Sequence, residues 1–562
     1  MFAIHRQIRG QAHSEACSTA WTTVRASTAK IKTMPSKTLS PASSRRIRPL
    51  ALPLLLSLPL LLAACGGGGG SSDSSASPSA PSTAAPATPP GAPATTPPVS
   101  TTPATPPASV PVADFSVTTK VIATGATGKV FGLKANFFND GLVPASPMSN
   151  YGFPNPVIPV VNADGSLDVA WLDYTGATQS GVSGLAAPGT ISITHVNPDL
   201  SAGATTATSL RSYKLLGFTK DASGAFYVAY NVDHPYRNAV AGDVNNVNGN
   251  ELHIAKASSA SFAAKAWDTL VFGNQDNSKD KSKGNPGTAG GGVLSYDAVN
   301  QKLVLYVAHQ MAWGDNGTRH QAGYFRYFDG VTGNVVTPAG NAMNMGSAWF
   351  YSHNFNQRLL IDNGIAYTLA HGDAYPRQLG FSARTLAGYL GKDSTVFDKP
   401  YQAIDGAEGD NTTNAETGQF IKLGSGDFAM VHATSQGRAA RDVRISLVSG
   451  ADGSVRSSAW LTSNAANTQA IMPKLEAYGS GFVVSYGLWN SSSRTNRAIE
   501  WHFMQLDASL NPLQLSNPVP GIEFVADLPL LRFTGGPNAG RVGWVSGNDQ
   551  GTLSVNLVPA AR

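Results

Sequence analysis

From about residue 112 onward, apolar and polar positions alternate in short runs, and turn residues interrupt them every ~8–12 positions. The stretch Gly364–Arg377 (GIAYTLAHGDAYPR) carries the pattern most plainly. Asn363-Gly364 marks a hairpin turn, an alternating strand follows, and a short loop then holds His371, Asp373, Tyr375 and Arg377. Period-two alternation is the signature of a half-buried strand. The end of this strand, Leu369-Ala370-His371, has counterparts at Val169-Ala170-Trp171, Val228-Ala229-Tyr230, Val307-Ala308-His309, Met430-Val431-His432, Val484-Ser485-Tyr486 and Val542-Gly543-Trp544. Those seven copies recur with a spacing of about 60 residues, the self-similarity that repeat architectures produce.

No helical periodicity interrupts the series. About 60 residues per copy is enough for one four-stranded blade with its loops. The pattern therefore predicts an all-β fold, a seven-bladed β-propeller of four-stranded antiparallel blades over residues 112–562. Its first two hairpin strands include Val157–Val161 with Leu167–Trp171, Arg358–Asp362 with Ile365–His371, and Gln419–Leu423 with Asp427–His432. Third strands fall at Ile191–His195, Leu252–Ala255, Ala322–Phe328, Leu379–Arg384, Val443–Val448, Ala498–Met504 and Leu553–Leu557. Val117–Leu133 has no sevenfold counterpart and is expected to close the ring by completing the last blade. If the hairpin strands are the innermost pair, the loops after all seven aligned positions share one face.

The amino-terminal part reads differently. The net charge of +5 is carried by residues 1–64, which hold nine Lys and Arg against the single acid Glu15. Without them the chain is slightly acidic, so no nucleic-acid footprint remains. Arg45, Arg46 and Arg48 precede the apolar run Leu50–Leu62, which carries Pro53 and Pro59 and is too short to span a bilayer. The run ends in Leu62-Ala63-Ala64-Cys65, which resembles the lipobox of bacterial lipoproteins. That resemblance implies a signal peptide over 1–64, cleavage before Cys65 and a diacylglycerol (palmitate-bearing) anchor on its sulfur. It also implies, through Gly66, an outer-membrane or cell-envelope location, periplasmic or surface-facing. Met34 offers a start that would give a signal of more usual length. Cys17 would leave with the signal, so the mature chain has no pair for a disulfide. Residues 65–111 are Gly-, Ser-, Pro- and Thr-rich and almost uncharged, which predicts a disordered, semi-extended linker.

Candidate chemistry lies on the expected loop face. Three consecutive copies end in histidine, His309, His371 and His432, and nearby loops add His353, Asp373, Asp315, His320 and the Asp233-His234 pair. Imidazoles beside a carboxylate suit a divalent metal or acid–base work, with His371, Asp373 and His353 as the catalytic candidates. The competing reading is that the aligned position needs a flat ring with a polar edge for packing. Arginines recur at the start of the third strand as Arg319, Arg377, Arg441 and Arg497. Their planar forks suit carboxylate, sulfate or phosphate, and they serve equally well as stacking or salt-bridging scaffold. Tyr375, Trp313, Tyr236 and Trp489 are placed in these loops, where aromatic rings stack on sugars or protein.

Several motifs are absent. There is no HExxH, GxSxG elbow, P-loop or dinucleotide fingerprint, and no Asp-rich calcium loop. The Ser-x-Asp-x-Gly-x-Thr-Trp box of sialidase-type propellers, the recurring Gly-His and Trp-Asp marks of WD40 repeats and the repeating double-glycine pattern of kelch are missing too. Two expectations follow. The first is a membrane-anchored module that binds a glycan or an envelope protein through the loop face. The second is a polysaccharide hydrolase or lyase with a His/Asp site, metal-dependent or not.

Overall fold

The computed structural model describes residues 110–123, 157–173, 188–212, 215–232, 251–272, 287–313, 319–336, 352–374, 378–387, 395–403, 415–490, 499–522, 524, 528–547 and 552–561. The signal region and Cys65 lie outside them, as does the linker up to residue 109.

The described chain folds as a seven-bladed β-propeller. Blade 1 comprises Val157–Val161, Leu167–Asp173, Gly189–Val196 and Ala202–Ser212. Blade 2 comprises Leu215–Lys220, Phe226–Val232, Glu251–Ala257 and Lys265–Phe272. Blade 3 has Gly287–Asp297, Lys302–Trp313 and Arg319–Asp329, with a single bridge from Phe328 to Val335 where a fourth strand would run. Blade 4 has Ser352–Asp362, Ile365–Ala374, Gln378–Thr385 and Thr395–Ala403. Blade 5 has Ala415–Lys422, Phe428–Thr434, Asp442–Val448 and Val455–Trp460. Blade 6 has Thr468–Tyr478, Gly481–Asn490, Ile499–Leu506 and Pro512–Ser516, and Val112–Ala113 adds to its outer edge in parallel. Blade 7 has Leu531–Arg532, Val542–Gly547 and Leu553–Leu557, and its outer strand is Thr118–Ala123 from the start of the domain. The expected ring closure is therefore made by Thr118–Ala123. Covalent continuity alone would leave blade 7 open. The antiparallel ladder between Thr118–Ala123 and Leu553–Leu557 pins both ends of the domain together.

First strands of neighbouring blades lie against one another, which puts them innermost and puts the second-to-third-strand loops on one face. The core is a ring of seven apolar clusters, one at each blade junction. Val169 packs back onto blade 7 while Ala170 packs forward onto blade 2, and Met430 and Val431 divide in the same way. The second strands are thus buried on both faces, not half-buried as alternation suggests. A strand sandwiched between sheets needs apolar residues on both sides and reads as a near-continuous run. At about 25 cal/mol per Å² of apolar surface removed from water, these seven junctions dominate the stability of a domain that contains no cysteine.

The opposite face is built from tight hairpins. At Asp164, Asp199, Asp221 and Asp452, Oδ1 accepts hydrogen bonds from the N–H and hydroxyl of the serine two residues on. These are Asx-turns, in which a side chain imitates a backbone turn. Gly165 follows Asp164 with φ +86°, and a Cβ there would lie 2.2 Å from the carbonyl oxygen of Gly535 in blade 7. Glycine at that position lets blades 7 and 1 close on each other.

Candidate functional site

The seven aligned strand ends are not all in phase. Val169, Val228, Val307, Met430, Val484 and Val542 pack backward onto the preceding blade. Leu369 packs forward onto blade 5. Side chains two apart in a strand share a face, so His371 follows Leu369 toward blade 5, beside its cross-strand partner Leu379. His432 shares its face with Met430 and points back toward blade 4. Two histidines that the sequence assigns to equivalent places on separate blades therefore enter the same junction, from opposite sides. Both are fully buried.

The surroundings of His432 are specific. Its ring meets Tyr401 of blade 4 edge-on, with centroids 5.4 Å apart and planes at 80°. Thr417 and Arg444 are its cross-strand neighbours on either side within blade 5. Burial, with the Arg444 charge adding to it, pulls the His432 imidazole down to about 3, so the ring is neutral. Burial pushes the Tyr401 phenol far above its ordinary range. Four side chains in this junction hold buried polar atoms without a hydrogen-bond partner: both ring nitrogens of His432, Tyr401 Oη, Thr417 Oγ1 and Arg444 Nε. Arg358 reaches across from the first strand of blade 4, donating from Nε to the Gly418 carbonyl at 3.1 Å and from Nη2 to the Thr417 carbonyl at 3.2 Å.

Outward from this buried layer, along the same rung of the blade 5 sheet, the junction turns polar and partly exposed. Arg444 donates to Gln402 Oε1 at 2.8 Å and to Ser458 Oγ at 2.6 Å, and Gln402 donates to Gln436. The Arg444 and Arg438 guanidinium carbons lie 5.2 and 4.6 Å from the centre of the half-buried Trp460 ring. Arg438 is held by Asp442 Oδ2 at 2.7 Å and by the Thr462 carbonyl at 3.1 Å.

Arg441, read from the sequence as a ligand-binding arginine, is instead buried against blade 6, its Nη1 3.5 Å from Glu416 Oε2. It cannot present a fork to solvent. Trp489 is likewise corrected from a loop to a core residue, in the strand Gly481–Asn490 and packed in the junction of blades 6 and 7. The backbone places His309 and Trp313 in Lys302–Trp313, Arg319 and His320 in Arg319–Asp329, His353 in Ser352–Asp362 and Asp373 in Ile365–Ala374. Their side chains lie outside the described residues, as do Tyr375, Arg377, Arg497, Asp315, Asp233, His234 and Tyr236. Among the described residues, no group of three or more His, Cys, Asp or Glu is placed to hold a metal ion.

Tyr401, Thr417, Arg444, Arg438 and Trp460 were not singled out by the sequence. Tyr401 sits at a register shift, between Pro400 paired with Gly380 and Gln402 paired with Leu379. Such a bulge re-aims a side chain and leaves no periodic trace. Arg444 carries one faint signal, its position three residues after Arg441, which on a strand means the opposite face.

The strand pairing defines the class as an all-β, seven-bladed propeller. No protein-family model and no curated protein matches the sequence. Among solved structures, the polysaccharide lyase Uly1 is similar over 72% of this chain and 90% of its own, at 9% identity and a TM-score of 0.35. The NanB sialidase of Streptococcus pneumoniae is similar over 61% of this chain and 66% of its own, at 8% identity and 0.32. Prolyl oligopeptidase B of Galerina marginata is similar over 67% and 52%, at 10% identity and 0.31. These likenesses carry no chemistry to this chain.

Proposed function

We propose that this protein is a lipid-anchored envelope propeller that binds a glycan or protein partner of acidic character through its loop face. The observation that carries the reading is the patch at the blade 4–5 rim. Two guanidinium groups, Arg438 and Arg444, lie against the Trp460 ring, with Gln402, Gln436 and Ser458 beside Arg444. A half-buried aromatic ring flanked by planar cations and amides matches the face and carboxylates of an acidic sugar, or an acidic protein loop. The lipobox at Cys65 supports the anchored location.

The test is binding of the full-length protein, in detergent, to a panel of neutral and acidic polysaccharides and envelope proteins. Saturable binding of an acidic ligand, weakened at least tenfold by Trp460→Ala together with Arg438→Ala, is the expected result. Equal binding by the double variant would remove the patch from the reading. Cys65→Ser is expected to move the protein from the membrane fraction to the soluble one.

A second reading, a polysaccharide hydrolase or lyase, is favoured by one feature. A neutral histidine, a tyrosine and an arginine meet at a single junction, residue types that serve acid–base chemistry; His432 and Tyr401 are buried, so this reading also requires the junction to open to the substrate. Release of new reducing ends or unsaturated sugar from a bound polysaccharide would establish it over binding alone.

A further inference from the structure

The buried layer of the blade 4–5 junction has a chemistry that the rim patch does not explain. Tyr401, Thr417 and His432 are each more than nine-tenths buried, and none of their side-chain polar atoms has a hydrogen-bond partner. An unsatisfied buried donor or acceptor costs ~1–3 kcal/mol, and native interiors leave few of them. Here they are gathered, not scattered. Thr417 and Arg444 flank His432 across the ladder, and Tyr401 stands edge-on to its ring.

The set has a common character: each member can donate. Tyr401 and Thr417 offer hydroxyl hydrogens, neutral His432 offers one ring N–H, and Arg444 offers its Nε–H. The Arg444 charge, moreover, has no carboxylate within ion-pair reach among the described residues. Its two terminal nitrogens bond to the neutral Gln402 and Ser458. Among the described residues of blades 4 and 5, Arg384 takes Asp398, Arg438 takes Asp442, Arg441 takes Glu416 and Arg456 takes Asp427. A water molecule would meet part of the hydrogen-bonding demand but would supply no counter-charge.

We infer that the junction of blades 4 and 5 binds a small monovalent inorganic anion of halide size, held by Tyr401 Oη, Thr417 Oγ1, a ring N–H of His432 and Nε of Arg444. The ion welds the two blades beneath the rim patch. It does there what Glu416 does for Arg441 on the other side of blade 5. The burial of Tyr401, Thr417 and His432 limits the ligand to one that needs little space, which favours chloride over a carboxylated sugar.

The test is the thermal melting of the full-length protein as chloride replaces gluconate at constant ionic strength, with bromide as a second halide. Because an anion that binds only the folded state stabilises it by mass action, Tm is expected to rise by about 2 °C or more over a hundredfold increase in chloride. The rise should be at least halved in Tyr401→Phe and in Thr417→Val, two near-isosteric changes that remove one donor each. Bromide-soaked crystals should show an anomalous peak within hydrogen-bonding distance of Tyr401 Oη. A flat wild-type melting curve would overturn the inference. So would a halide response of equal size in wild type and both variants, or an ordered water without anomalous signal in that position.

Discussion

The two sides of blade 5 treat buried charge in opposite ways. Toward blade 6, Arg441 faces Glu416 at 3.5 Å, and Glu416 Oε2 also accepts the Met472 N–H of the next blade at 3.0 Å. The Arg441 carbonyl accepts from the Ala470 N–H and from Asn464, and its own N–H donates to Gln469. Toward blade 4, three residues further along the same chain, Arg444 meets no acid among the described residues, and Tyr401, Thr417 and His432 hold unsatisfied polar atoms. The first junction pairs its buried cation with a carboxylate that also reaches the next blade. The second has its apolar cluster in place but its polar layer open, which is what a ligand site requires and a purely structural junction avoids. Burial alone does not separate scaffold from site in this propeller. Whether the cation meets a carboxylate does.

The largest effect should come from breaking the completed side. Arg441→Met leaves the Glu416 carboxylate buried without its cation, and a loss of about 3–5 kcal/mol in urea unfolding is expected. Adding Glu416→Gln should restore most of it. Equal stability of the single and double variants would show that the pair is not what holds blades 5 and 6.

Acid should distinguish the junctions next. The folded-state pKa of His432 is depressed, to about 3 from 6.5, so its contribution to stability is present above pH 6.5 and is lost as pH falls toward 3. About 5 kcal/mol should disappear over that window, and His432→Phe should flatten it. The Asp221 and Asp268 carboxyls, held near 2, add their own loss below about pH 4, which the variant retains. Desolvation opposes that depression in both cases; the serine, tyrosine and lysine contacts of Asp221 and the histidine, lysine and tyrosine contacts of Asp268 outweigh it.

Glu476, on the first strand of blade 6, runs the other way. Burial raises its carboxyl to about 7, opposed by the Ala477 N–H and by Arg532. A raised carboxyl favours the folded state below its unfolded value of 4.5, and that contribution is lost as pH rises through 7. Glu476→Gln should remove about 2 kcal/mol of decline between pH 4.5 and 7.5, read from pH-dependent melts.

The smallest effect should be at Arg444. Arg444→Met, in halide-free buffer, should change stability by less than about 1 kcal/mol, because no buried acid is left behind. A loss as large as that of Arg441→Met would erase the contrast between the two sides.

Much of the scaffold was readable in one dimension. The turn at Asn363-Gly364, the third strands and the closing role of the segment after Val117 depend on local backbone preference and repeat spacing, and both survive in the linear text. The site was far less legible. Tyr401 is aimed by a bulge, Arg444 is defined by which acid it does not meet, and Trp489 passes for a loop aromatic until the strand is seen to run on to Asn490.

By itself, then, the amino-acid sequence determined the class of fold, the number of blades and the segment that closes the ring. Apolar periodicity and turn chemistry act over a few residues, and the repeat multiplies them sevenfold. Only the tertiary structure decided the facing of each side chain. A one-residue change of phase in a strand reverses every side chain along it, and that is how the blade 4 strand sends His371 forward while the blade 5 strand sends His432 back. Whether a buried charge meets a partner is likewise settled between blades, by contacts that sequence neighbours do not encode.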